Sequence, residues 1–129
     1  MPIVVVKTLE FDEWAREYDV TDAALKHAAA EIEAGLIDAR LGGFLLKNRI
    51  AAPGRGKRGG YRVILGYRQG DRLIFVHGFA KNETETITRR ETEALRKLCE
   101  IYMRADAEVF GQMIAKKLLL EIDPDEQDT

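Results

Sequence analysis

Nine residues, Gly54-Arg-Gly-Lys-Arg-Gly-Gly-Tyr-Arg62, hold four cations and four glycines and run straight into an alternating stretch, Tyr61 to Arg68. A basic loop opening onto a strand with arginines on one face suits a polyanion, because clustered Lys and Arg displace the counterions of a phosphate backbone. Positioned cations can also stabilise the extra negative charge of a phosphorane-like transition state. Gly54, Gly56 and Gly59 spell G-x-G-x-x-G, but a dinucleotide loop joins a strand to a helix, and this one precedes a strand. Gly56-Lys57 is followed by Arg58, so there is no Walker sequence.

Charge is distributed unevenly around that stretch. The chain has 129 residues and a formal net charge of −2, yet its middle third, residues 40–72, holds nine of its 20 Lys and Arg and one of its 22 Asp and Glu. A basic island lies between acidic flanks, and local charge is what an anion meets. The one cysteine, Cys99, excludes an internal disulfide and a Cys-cluster metal site, and two distant histidines make a zinc site improbable. We expect no metal and no cofactor. Ile3-Val-Val-Val6 is too short for a signal peptide and no apolar run has membrane-spanning length, so a cytoplasmic protein without a membrane partner is expected.

The elements that must position these residues read as α+β. Ile3 to Lys7 is β-branched and predicts a first strand. Phe11, Trp14, Ala15 and Tyr18 predict a short helix, and Thr21 caps a second that carries Leu25, Ala28, Ile32 and Leu36 on one face, with Gly35 near its end. Leu41-Gly-Gly43 reads as a break. Phe44 to Ile50 predicts a strand, with Phe44, Leu46 and Ile50 on one face and Leu45, Lys47 and Arg49 on the other. Ala51 to Gly60 reads as a basic loop, Tyr61 to Arg68 and Leu73 to Phe79 as strands. Thr88 and Glu91 have capping-box spacing for a third helix, with Ala94, Leu95, Leu98, Ile101, Tyr102 and Ala105 as its buried stripe. A helix from about Asp106 to Ala115 and a last strand, Leu118 to Ile122, complete a single domain over 1–122. Residues 123–129 read as an acidic, disordered tail.

Gly70-Asp71 signals a two-residue hairpin turn. That turn places Arg68 opposite Leu73, Gly66 opposite Phe75, Ile64 opposite His77 and Arg62 opposite Phe79. One face would then gather Arg62, Arg68 and His77, with Phe75 and Phe79 among them, and Lys81 would emerge beside Arg55, Lys57 and Arg58, joined by Lys47 and Arg49. Cations hold phosphates, aromatic rings stack unpaired bases, and His77 could move a proton near neutral pH. Taken singly, a basic loop is as often a solvated turn, and a lone histidine is more often a core residue.

Four stretches carry a resemblance over nearly the whole chain: Glu33-Ala-Gly-Leu-Ile-Asp-Ala-Arg-Leu-Gly-Gly43, Lys47-Asn-Arg-Ile50, Gly54 to Arg62, and Gly78-Phe-Ala-Lys-Asn-Glu83. With the order of elements, they resemble the RelE-like toxins of bacterial type II toxin–antitoxin systems (the RelE/ParE superfamily, HigB-like branch). The resemblance implies a RelE-like microbial ribonuclease-type fold: a mostly antiparallel sheet, an N-terminal helical hairpin on one face, and C-terminal helices. It also implies a metal-independent endoribonuclease that cleaves mRNA on the ribosome by 2′-hydroxyl attack. A cognate antitoxin, often of helix-turn-helix type, would silence it.

Carried over residue by residue, the resemblance puts catalysis on Arg62 and Lys81, with Arg68 and His77 as further candidates. RNA binding falls to Lys47, Arg49, Arg55, Lys57 and Arg58. The chain departs from ribosome-dependent cleavers at Asn82 and near Thr88, where those carry an arginine and a tyrosine. The same superfold includes toxins that poison gyrase and cleave nothing, so a non-cleaving toxin or a detoxified binding module stands as the second reading.

Overall fold

The computed structural model describes residues 3–52, 56–80 and 87–122, and for residues 52 and 56–59 the backbone alone. The described elements run β1 (Val4–Thr8), α1 (Leu9–Glu17), α2 (Asp22–Glu33), β2 (Ala39–Gly42), β3 (Leu45–Ala52), β4 (Gly56–Arg68), β5 (Arg72–Ala80), α3 (Arg89–Arg104), α4 (Ala107–Ala115) and β6 (Leu119–Glu121). They form an α+β structure around a six-stranded sheet of order β2-β3-β4-β5-β1-β6. The sheet is mixed: β1 pairs with β5 in parallel and every other pairing is antiparallel.

Each face of the sheet has its own core. α1 and α2 bury Phe11, Ala15, Leu25, Ala28 and Ile32 against Leu46, Ile50, Val63, Leu65, Leu73 and Phe75. The C-terminal helices bury Cys99, Met103 and Phe110 against Val6, Leu45, Ile64, Ile74 and Val76 on the opposite face. The approach of α1 depends on Gly78. A Cβ there would lie 2.4 Å from the Trp14 ring, so only glycine lets the indole lie on β5. Burial in the second core pushes the Cys99 thiol up to about 12, so it behaves as a small apolar side chain.

The helix boundaries follow from local chemistry. Thr8, Thr21, Thr88 and Asp106 each accept a backbone N–H of the first turn with their side chains. Thr88 and Glu91 make the expected reciprocal capping box (3.0 and 2.9 Å). α2 ends in a Schellman motif at Gly35 (φ +94°), where the N–H of Leu36 bonds Glu31 O (2.9 Å).

Several expectations are corrected. Leu36 lies beyond α2 and is exposed rather than on its buried face. Leu41-Gly-Gly43 is no simple break: β2 runs through Gly42 along the edge of β3. The expected loop from Ala51 to Gly60 is largely ladder, since Ala52 pairs with Gly56 and the strands continue to either side. The buried stripe of α3 is partly rotated: Leu95, Tyr102 and Ala105 pack on the second core as expected, but Cys99 and Met103 are its fully buried residues, Ala94 is exposed and Ile101 is 60% exposed. Phe44 packs with the second core, not with Leu46 and Ile50.

The β4–β5 turn holds three residues, because Arg68 pairs with Arg72. That displaces the expected register by one residue as far as Leu65–Phe75. A bulge at Val76 then restores it, so Ile64 faces His77 and Arg62 faces Phe79 as the spacing predicts. Phe75 consequently turns to the other face, where it stacks on Phe11 with centroids 5.4 Å apart. Lys81, Arg55 and the acidic tail lie outside the described residues, as do the side chains of Lys57 and Arg58.

Candidate nucleic-acid interface

Beyond Leu45, Ile64 and Val76 of the second core, the same face of β3, β4 and β5 turns from apolar to basic, with Phe79 still packed against that core. Cross-strand pairing makes two rows. One runs Lys47, Ile64, His77; the next runs Arg49, Arg62, Phe79. Side chains directly opposite share a face, so Lys47, Arg49, Arg62, His77 and Phe79 come together, as the sequence suggested. The rings of His77 and Phe79 are 5.9 Å apart and tilted by 38°.

Arg49 and Arg62 face each other directly, and like charges so placed repel. Among the described residues only one of them has an acidic partner. Asp38, in the connection from α2 to β2, accepts the backbone N–H of Arg49 (2.7 Å) and its Nε–H (3.2 Å). Arg62 is half-buried, and its Nη1 is buried with no hydrogen-bond partner among the described residues. A buried guanidinium N–H without an acceptor is unfavourable, and such a group calls for an explanation. Arg62 as a residue helps line an open, polar hollow of ≈ 400 Å³, with Asp38, Ala39, Lys47, Asn48 and Arg49. Phosphate oxygens are the acceptors that a fork of cationic N–H groups fits best.

Arg68 is not part of this group. It lies on the same face of β4, but six residues along a strand separate it from Arg62 by roughly 20 Å. Its Nε donates to Asp71 (2.6 Å), and its Nη1 donates to the carbonyl of Met103 at the end of α3. Arg72 beside it is almost fully buried, donates to Tyr102 O (2.6 Å), and lies 4.1 Å over the Phe110 ring. Two arginines thus satisfy the last carbonyls of α3. Asp38 and Asn48 carried no expectation from the sequence. Asp38 is the last acid before the basic island, a position that by itself implies no contact.

The chain matches the family model described as "RelE toxin of RelE / RelB toxin-antitoxin system" over residues 3–122. It belongs to the RelE toxin family. No curated protein matches it significantly. As a RelE-family toxin it is a component of a toxin–antitoxin system, with a cognate antitoxin as its partner. None of its described helices is long and apolar enough to cross a membrane.

Proposed function

We propose that this RelE-family toxin is an endoribonuclease of the HigB-like branch that cleaves mRNA, on the ribosome and in the cytoplasm, without a metal. The observation that carries the reading is the convergence of Lys47, Arg49 and Arg62 on one open, polar hollow. Cations at that density on one sheet face favour a phosphodiester over a neutral ligand. In the proposed reaction the ribose 2′-oxygen attacks the adjacent phosphorus as its proton leaves. The P–O5′ bond breaks, and the 5′-oxygen takes up a proton, giving a 2′,3′-cyclic phosphate and a 5′-hydroxyl end. Arg62 and Lys81 stabilise the charge that builds on the non-bridging oxygens. His77 handles a proton. Lys47, Arg49, Arg55, Lys57 and Arg58 hold the flanking phosphates.

The deciding experiment is a map of mRNA 5′ ends in bacteria expressing the chain, beside an Arg62→Ala, Lys81→Ala double variant. New 5′-hydroxyl ends in translated regions, absent from the variant, are expected. Growth arrest without new ends would replace this reading with a non-cleaving toxin acting on a protein such as gyrase. With bare RNA and the purified chain at high concentration, any residual cleavage is expected to run at the same rate with and without excess chelator; a rate that falls only when chelator is added would overturn the metal-free step. Replacing Lys57 and Arg58 by serine should lower the slope of log affinity against log salt by about 0.7 per lost phosphate contact; an unchanged slope would remove those two from the RNA contact.

A further inference from the structure

Asp38 and Asn48 border the hollow but hold no RNA contact in the reading above. Asn48 is 4% exposed. Its Oδ1 accepts the backbone N–H of Asp38 (3.1 Å), and its Nδ2 donates to the carbonyl of Leu36 (2.9 Å). A buried amide thus ties the segment 36–38 to the outer edge of β3. The edge itself completes the attachment. Phe44 O accepts from Tyr67 N (2.9 Å), so alternation turns the backbone groups of Arg49 away from β4, where Asp38 meets the N–H.

The same carboxylate oxygen, Oδ2, accepts both N–H of Arg49 and its Nε–H. That contact grips the guanidinium at its inner nitrogen. The two outer nitrogens of Arg49, which form the fork that suits a phosphate, make no hydrogen bond to the described residues. We infer that Asp38 is a positioning residue: held by Asn48, it sets the guanidinium of Arg49 against the hollow shared with Lys47 and Arg62, and it competes there with RNA phosphate. The inference rests on the RNA-cleaving reading and adds to it a carboxylate that orients one of the cations.

An orienting role and a merely structural one differ in sign. Without the charge of Asp38, Arg49 is released to grip phosphate in many poses. Ground-state binding then tightens while the transition state loses a placed cation. Asp38→Asn keeps an acceptor for the Arg49 N–H and removes the charge, so the edge of β3 stays satisfied. With ribosomes programmed with a defined mRNA, kcat is expected to drop about tenfold or more. With a 2′-O-methylated RNA oligonucleotide, which cannot be cleaved, Kd is expected to tighten by up to about fivefold. In an Arg49→Ala background the same change should alter kcat by less than about twofold, because the residue it acts through is gone.

Cleavage by the wild-type chain with unchanged kcat and Kd in Asp38→Asn would overturn the inference alone. So would a loss of kcat and affinity together, or a full effect persisting without Arg49. Absence of cleavage by the wild-type chain would overturn the nuclease reading and this inference with it.

Discussion

Arg62, in the middle of β4, and Arg68, at its C-terminal end, lie on the same face of the same strand, and the fold treats them in opposite ways. At that end, Arg68 bonds Asp71 and the carbonyl of Met103, and Arg72 beside it bonds Tyr102 O, so the final turn of α3 is anchored to the β4–β5 turn. Six residues earlier, Arg62 keeps a buried Nη1 with no partner among the described residues while facing a second arginine. A guanidinium that satisfies helix carbonyls contributes to stability. One held half-buried, opposite a like charge, works against stability and gains only when an anion arrives. The contrast teaches that arginine count and strand face do not identify a site; the surroundings of each N–H do.

The strongest test acts on Arg62. Arg62→Ala should lower RNA cleavage by about 10² to 10³, the range for removing a preorganised charge donor from a developing oxyanion. Its unfolding free energy should not fall by more than about 0.5 kcal/mol, since the removed Nη1 has no partner among the described residues. Arg62→Lys should recover little activity, because an ammonium lacks the planar fork. Cleavage and melting measured on the same preparations check both halves. A large loss of stability with Arg62→Ala would show that the guanidinium is structural after all and would collapse the difference from Arg68.

Lys7 sharpens the comparison from the first core. It is a buried cation with its partners inside the protein: its Nζ lies 2.9 Å from Asp12 and 2.8 Å from Asp22. Burial acts to lower its pKa, but the bonds to Asp22 and Asp12 outweigh it and the net shift is upward from 10.5. A lysine whose folded pKa exceeds its unfolded value contributes stability that is fully present below about 10.5 and is lost as pH rises through the folded value. Denaturant unfolding should therefore show stability declining above pH 10.5 in the wild type and a flatter course in Lys7→Met. At neutral pH that variant should lose about 3 kcal/mol, because Asp12 and Asp22 are left facing each other. RNA cleavage per folded molecule should not change.

Much of this was legible in the sequence where the signal is local. The Thr88/Glu91 capping box, the Thr21 cap and the alternation of Tyr61 to Arg68 each lie within a few residues, and each appears as read. The pairing of Arg62 with Phe79 was also legible, though through two compensating displacements, a longer turn and the bulge at Val76, neither of which spacing reveals. The misplacement of Phe75 follows from that: a bulge changes which face a residue takes only on one side of itself. Leu95, Tyr102 and Ala105 of the expected α3 stripe pack on the second core as read, but Ala94 and Ile101 are exposed and Met103 is buried, because both sets recur at helical spacing. Tertiary contact with Gly66 and Leu45 decides between them. The positions of Asp38 and Arg68 depend on contacts spanning 11 and 35 residues of chain, which periodicity cannot register.

The smallest expected effect tests the C-terminal end of β4. Arg68→Ala removes the bond to Met103 O and the pair with Asp71, but Arg72 still reaches Tyr102 O, so α3 keeps one of its two anchors. The side chain is 40% exposed, which limits its contribution through solvent screening. The expected loss is about 1 kcal/mol in unfolding free energy. Hydrogen exchange should show it first at the C-terminal turn of α3, since that is where the acceptor is left without its donor. At a temperature where the variant is fully folded, its rate of RNA cleavage should equal that of wild type, because roughly 20 Å of strand separates it from Arg62. If Arg68→Ala instead abolished cleavage while melting normally, Arg62 and Arg68 would belong to one extended phosphate track, and α3 would have to move aside for the RNA to follow it.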